Sequence, residues 1–226
     1  MFMTRISARH FPLPVSLRPL HAPLTAERYP GALALWERST LRRIGDPVFG
    51  VEALVVHVAQ HTGTDGAVAL MQARRASWHW IIPARPEPQH GRFIWQAAPE
   101  GRAARHLPQR LSHPAIAHGR NRLNHASLAV LLAADPAHPG AAPTRWQLAV
   151  LAELVRHLWA RYPALAHVVC RSELDPDAPR PALDWPLLHQ LATGAPSLDL
   201  PPLVARATPL ALLDRPARSE AALRTT

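Results

Sequence analysis

The chain has 226 residues, is 48% hydrophobic, and carries a formal net charge of +9 in which every cationic side chain is arginine. That length gives one domain with extensions or two small ones, with ample apolar material for a core. The lone Cys170 excludes an intramolecular disulfide and a cysteine-rich zinc site, and no apolar run reaches the about 18 residues of a membrane span.

The positive charge favours anionic partners, but no arginine-rich helix with interleaved aromatics supports nucleic-acid binding. Prolines at 12, 14 and 19 interrupt the segment after Arg5 and Arg9, so no signal-peptide core is present and a cytoplasmic location is expected. Residues 1–47 read as a proline- and arginine-rich extension. One helical patch is expected within it, from Thr25 through Arg43. Leu54-Val55-Val56-His57-Val58 is an apolar, β-branched run of the kind buried on both faces of a sheet. A histidine at the end of such a strand can face a pocket at the sheet edge, although a satisfied structural histidine is the commoner case. Thr64 to Arg75 has helical spacing, with Asp65 as the expected N-cap. Ala76 to Ile82 reads as a strand, Pro83 to His90 as a loop, and Gly91 to Gln96 as a hairpin partner.

Residues 97–124 are expected to be mostly irregular, with Arg102, Arg105, His106 and Asn124 among prolines and glycines, a common binding-surface composition. Ser127–Leu132 is a further strand. Thr144 and Gln147 have the spacing of a capping box, and Leu148, Leu151, Leu154, Val155, Leu158 and Trp159 follow as a helical stripe that Pro163 ends. Ala166–Cys170 reads as a strand and Arg171–Pro181 as a loop. A last helix starts with Asp184 as N-cap and Pro186 in its first turn. Residues 193–226 are expected to be a loosely packed tail.

Several short motifs share their order with a known family. Val55-Val56-His57-Val58 matches a strand ending Val-Ile-His-Tyr-Thr. Ser77-Trp78-His79-Trp80-Ile81-Ile82 matches Ser-x-His-Tyr-x-Ile, and Phe93 to Gln96 a hairpin strand ending in glutamine. Ala103-Ala104-Arg105-His106 corresponds to Arg-Ala-Trp-His, and Asn124 to Leu131 to Asn-x-x-Ser-Ile-Gly-Ile-Glu. Thr144 to Gln147 matches Thr-x-x-Gln. Val169 to Pro176, with Leu183-Asp184-Trp185, matches Val-Gly-His-Ser-Asp-Ile-x-Pro and Phe-Asp-Trp. Together, over about residues 50–191, the chain resembles the zinc-dependent N-acetylmuramoyl-L-alanine amidases and the peptidoglycan recognition proteins.

The resemblance implies an α/β fold with a central mixed sheet flanked by helices, in an amidase-like domain at 48–192. It also implies hydrolysis of the bond between the lactyl group of N-acetylmuramic acid and L-alanine at a zinc ion with an open position. The residues carry this over in part. The first zinc ligand corresponds to His57. The second falls on Arg171, which stays protonated and cannot bind zinc. The third falls in a shorter loop, with Asp177 nearest, and the proton-transfer glutamate is replaced by Leu131. A rebuilt zinc site would draw on His57, His61, Cys170 and Asp175 or Asp177. The expected function is therefore binding of a peptidoglycan fragment or another anionic glycopeptide, with little or no hydrolysis and no cofactor, through Arg102, Arg105, His106, Asn124 and Arg171. A rewired active zinc amidase and a protein-interaction module remain as alternatives. No membrane partner is expected.

Overall fold

The computed structural model describes residues 10–22, 24, 26–28, 50–85, 94–121 and 123–194. Its strands are β1 (His10–Pro12), β2 (Glu27–Arg28), β3 (Ala53–Val58), β4 (Trp80–Ile82), β5 (Trp95–Gln96), β6 (Ser127–Leu132) and β7 (His167–Cys170). The helices are α1 (Thr64–Gln72), α2 (Leu123–Ala126), α3 (Arg145–Arg161), α4 (Arg171–Leu174) and α5 (Trp185–Thr193). The strands form one mixed sheet in the order β1-β7-β3-β6-β4-β5-β2. Its centre, β7-β3-β6-β4, is parallel, whereas β1 runs antiparallel to β7 and β5 antiparallel to β4.

The uninterrupted apolar run of β3 follows from this position, because helices and loops cover both faces of a parallel centre. Alternation along the strands then divides the core. Leu54, Val56, Leu128, Val130, Leu132 and Val168 face the long helix α3 and the final helix α5. Val55 and Val169 point to the other face, where the loop around Leu107 and Ile116 packs. Ala129, Leu131 and Ile81 share that second face and meet α1 through Ala67, Val68 and Met71. His57, two residues beyond Val55, therefore belongs to the second face.

α3 forms as its sequence predicts. Thr144 accepts from the Gln147 amide at 3.2 Å, and the Gln147 side chain accepts from the Thr144 amide at 3.0 Å. The whole stripe Leu148, Leu151, Leu154, Val155, Leu158 and Trp159 is buried. Pro163 follows the C-cap residue Tyr162, and the Arg18 guanidinium donates to the carbonyls of Tyr162 and Pro163. A cation at a helix C-terminus is favoured by the aligned peptide dipoles. Asp184 caps α5 by accepting from Leu187, with proline in the first turn.

Several local expectations are corrected. The N-cap of α1 is Gly63, with no side-chain cap, and Asp65 lies inside the first turn, where its charge meets the positive end of the dipole. β4 starts only at Trp80, because the His79 ring accepts the Ala129 amide through Nδ1 at 2.9 Å and takes a ladder position. The stretch after β7 opens with the helical turn α4 instead of a loop. Glu27–Arg28 is a strand parallel to β5, not the start of a helix. The rest of the helical patch to Arg43, residues 91–93 of the hairpin and the tail beyond 194 lie outside the described residues. No helix among the described residues is long and apolar enough to cross a membrane.

Candidate functional site

The carboxyl ends of β3, β6 and β7 meet at one edge of the sheet, where open α/β sheets build their sites. His57 is the next-to-last residue of β3 and lies opposite Leu131 on β6. Arg171 directly follows β7. A cavity of about 150 Å³ opens here, lined by His57, Leu70, Trp78, Leu131, Cys170 and Arg171, with Pro179 and Pro181 at one side.

His57 is 4% exposed. Burial first, and the charge of Arg171 second, push its pKa down to about 3, so the ring is neutral at physiological pH. Its Nε2 lies 3.1 Å from Nδ1 of the buried His106, whose Nε2 lies 3.1 Å from Ser127 Oγ. Ser127 Oγ in turn donates to the Leu123 carbonyl at 2.5 Å. These contacts assign the protons. A carbonyl only accepts, so the single hydroxyl proton of Ser127 goes to Leu123, and Ser127 receives the Nε2–H of His106. With its Nε2–H directed to Ser127, His106 is left to accept at Nδ1 from the Nε2–H of His57. His57 is left with a bare lone pair at Nδ1. That atom has no partner among the described residues, and it is not among their sealed unpaired polar atoms. It therefore opens toward the cavity. The indole N–H of Trp78, by contrast, is sealed without a hydrogen-bond partner.

Arg171 is 41% exposed at its side chain and bonds the 3% exposed carboxylate of Asp175 one helical turn on. Its Nε and Nη2 both donate to Asp175 Oδ2, at 3.2 and 2.8 Å. The two bonds fix the guanidinium plane.

His57 has what a zinc ligand needs: a neutral ring, a free lone pair and a second-shell hydrogen bond that sets its orientation. The remaining donors do not fit zinc. Arg171, the neighbouring polar side chain of the cavity, stays protonated and cannot bind a metal ion. Asp175 is spent on Arg171. Asp177 is 81% exposed and pairs with Arg110 at 3.2 Å. His61 is exposed and does not line the cavity. Cys170 lines the cavity, but no group of three or more His, Cys, Asp or Glu side chains among the described residues could hold a metal ion.

The sequence-predicted binding residues divide. His57, Leu131, Cys170 and Arg171 come together around the cavity, with His106 directly behind His57. Asn124 instead spends its side chain on Leu107, accepting from the amide at 3.0 Å and donating to the carbonyl at 2.8 Å. Arg105 is exposed, and its backbone pairs with Ser77. The carbonyl of Arg102 accepts from His79 Nε2 at 2.8 Å. None of these three residues lines the cavity. Sequence reasoning missed the roles of Ser127, Trp78 and Asp175. Only Asp175 left a signal, its i,i+4 spacing from Arg171 on a helical turn.

No protein-family model matches the chain, and no curated protein matches it. Among solved structures it is similar to the N-acetylmuramyl-L-alanine amidase AmiD from E. coli, solved in complex with the substrate anhydro-N-acetylmuramic acid-L-Ala-D-gamma-Glu-L-Lys. The identity is 26% and the TM-score 0.52, and the match covers 68% of this chain and 62% of that one. The chain thus spans less than two thirds of the length of that amidase. The mixed sheet flanked by helices matches the fold of the amidase.

Proposed function

We propose that the chain binds a peptidoglycan fragment at the edge where β3, β6 and β7 end, and does not cleave it by the zinc mechanism. One observation carries the reading. Arg171, locked to Asp175, lines the cavity together with His57, so a cation fills the site where the family resemblance would put a second zinc ligand. The similarity to an amidase solved with a muropeptide supports the ligand class. The apolar Leu131 opposite His57 supports the loss of hydrolysis, since it cannot move a proton.

The cavity of about 150 Å³ is smaller than the roughly 300 Å³ at which drug-sized pockets begin. It receives one group of the ligand, and the remainder lies along the open rim. Calorimetric titration with a purified muropeptide, with chromatographic assay for free peptide and metal analysis of the same sample, tests the reading. Binding without peptide release and without stoichiometric zinc is expected. Release that depends on a zinc ion held by His57 would overturn it, as would no binding at millimolar ligand.

A further inference from the structure

Two of the residues that line the cavity keep hydrogen-bonding capacity that the protein leaves unused, an acceptor on one and donors on the other. The acceptor is His57 Nδ1, bare because the Ser127–His106 chain draws the ring's proton to the opposite nitrogen. The donors are on Arg171, where Asp175 engages Nε and one N–H of Nη2 and leaves both hydrogens of Nη1. Around them the wall is mostly apolar, with Leu70, Leu131, Trp78 and Pro181, and Thr62 and Cys170 add a hydroxyl and a thiol.

A free carboxylate suits this pair poorly. It would satisfy Arg171, but it would turn a lone pair toward the lone pair of His57. A metal cation would suit His57 and be repelled by Arg171. A secondary amide suits both, since its N–H donates to a lone pair and its carbonyl accepts from a guanidinium. At about 150 Å³ the space matches an amide with its flanking carbons.

We propose that the cavity between His57 and Arg171 is a receptor for an uncharged secondary amide, with His57 Nδ1 taking the amide N–H and Arg171 Nη1 donating to the carbonyl. The proposal rests on the peptidoglycan reading for the identity of the ligand, where the lactyl–alanine bond is such an amide. On this view the bond that a zinc site would polarise is held by two neutral-geometry hydrogen bonds and left intact. Buried amide groups that lack such partners are penalised, so a site built for donor and acceptor together discriminates strongly against analogues that lack one of them.

The test uses pocket-sized probes, so that it does not depend on the glycan. Full-length protein labelled with 15N-histidine is titrated in chelator-containing buffer with N-methyl-lactamide and, separately, with lactate. The expected result is a saturable shift of the His57 Nδ1 resonance with the amide, affinity at least tenfold below this for lactate, and less than a twofold change in amide affinity between 50 and 500 mM salt. Arg171→Lys keeps the pairing with Asp175 but loses the second terminal nitrogen, and it should weaken the amide at least fivefold. Equal or tighter binding of lactate that weakens with salt would overturn the proposal while leaving muropeptide binding intact. So would the absence of any shift with either probe in protein that binds a whole muropeptide by calorimetry.

Discussion

At the scale of single residues, His57 couples the site to stability. Its folded pKa of about 3 lies below the ordinary histidine value of 6.5. The unfolded chain therefore binds the proton first as pH falls, and stability drops from pH 6.5 downward until about pH 3. The limiting slope is about 1.4 kcal/mol per pH unit. Chemical denaturation of His57→Leu beside wild type, in chelator-containing buffer at pH 7, 6 and 5, should show a flatter dependence in the variant. Parallel pH profiles would mean that the ring is solvated. The Arg171–Asp175 pair makes a second prediction at this scale, because its members are buried unequally. Arg171→Ala strands a buried carboxylate and should cost about 3 kcal/mol or more. Asp175→Asn leaves a half-exposed guanidinium that water can serve, and should cost about 1.5 kcal/mol. Urea midpoints of the two variants in the reverse order would contradict the burial.

At the scale of elements, α3 is the main cover of one sheet face. Leu154 is fully buried among Leu151, Val155 and Leu158. Leu154→Ala should cost about 2–5 kcal/mol, the range for truncating a packed leucine. Thr144→Ala removes one half of the capping box and should cost about 1 kcal/mol. Gln147 does more than cap, since its Nε2 also donates to the Ile82 and Ala133 carbonyls at 3.1 and 3.0 Å. Gln147→Ala removes the side-chain donor from both buried carbonyls, of which Ile82 keeps the Ala133 amide at 2.9 Å, and should cost more than Thr144→Ala. Equilibrium denaturation of the two cap variants side by side checks the order. Both variants leave the cavity untouched, so amide binding should survive in each.

At the scale of the whole molecule, the site joins three strand ends and a loop that are far apart in sequence, and the sheet core holds them in place. A fold sustained by apolar packing does not need a metal to stand. Adding chelator to purified protein should leave the midpoint of thermal unfolding within about 1 °C, whereas a structural zinc would contribute folding free energy directly. Differential scanning calorimetry with and without chelator decides this.

Much of the scaffold was legible in the sequence because it rests on local rules. Apolar periodicity located β3, β6 and α3, and Thr144, Gln147 and Asp184 marked helix starts through short-range hydrogen bonds. The resemblance of ordered motifs led to the amidase fold, and the position of His57 at a strand end pointed to the cavity. The chemistry of the site was less legible. Whether Arg171 is a free cation or half of a pair depends on Asp175 swinging back across one turn, and whether Asn124 reads a ligand or pins a loop depends on where Leu107 falls. The protonation of His57 depends on His106 and Ser127, which are 49 and 70 positions away in the chain and become neighbours only across the folded sheet face. Local propensity acts over a few residues, so the sequence by itself determined the strands, the helices and their order. Burial and proton placement are properties of the assembled interior, so only the tertiary structure decided which side chains share the cavity and which of their hydrogen bonds are left for a ligand.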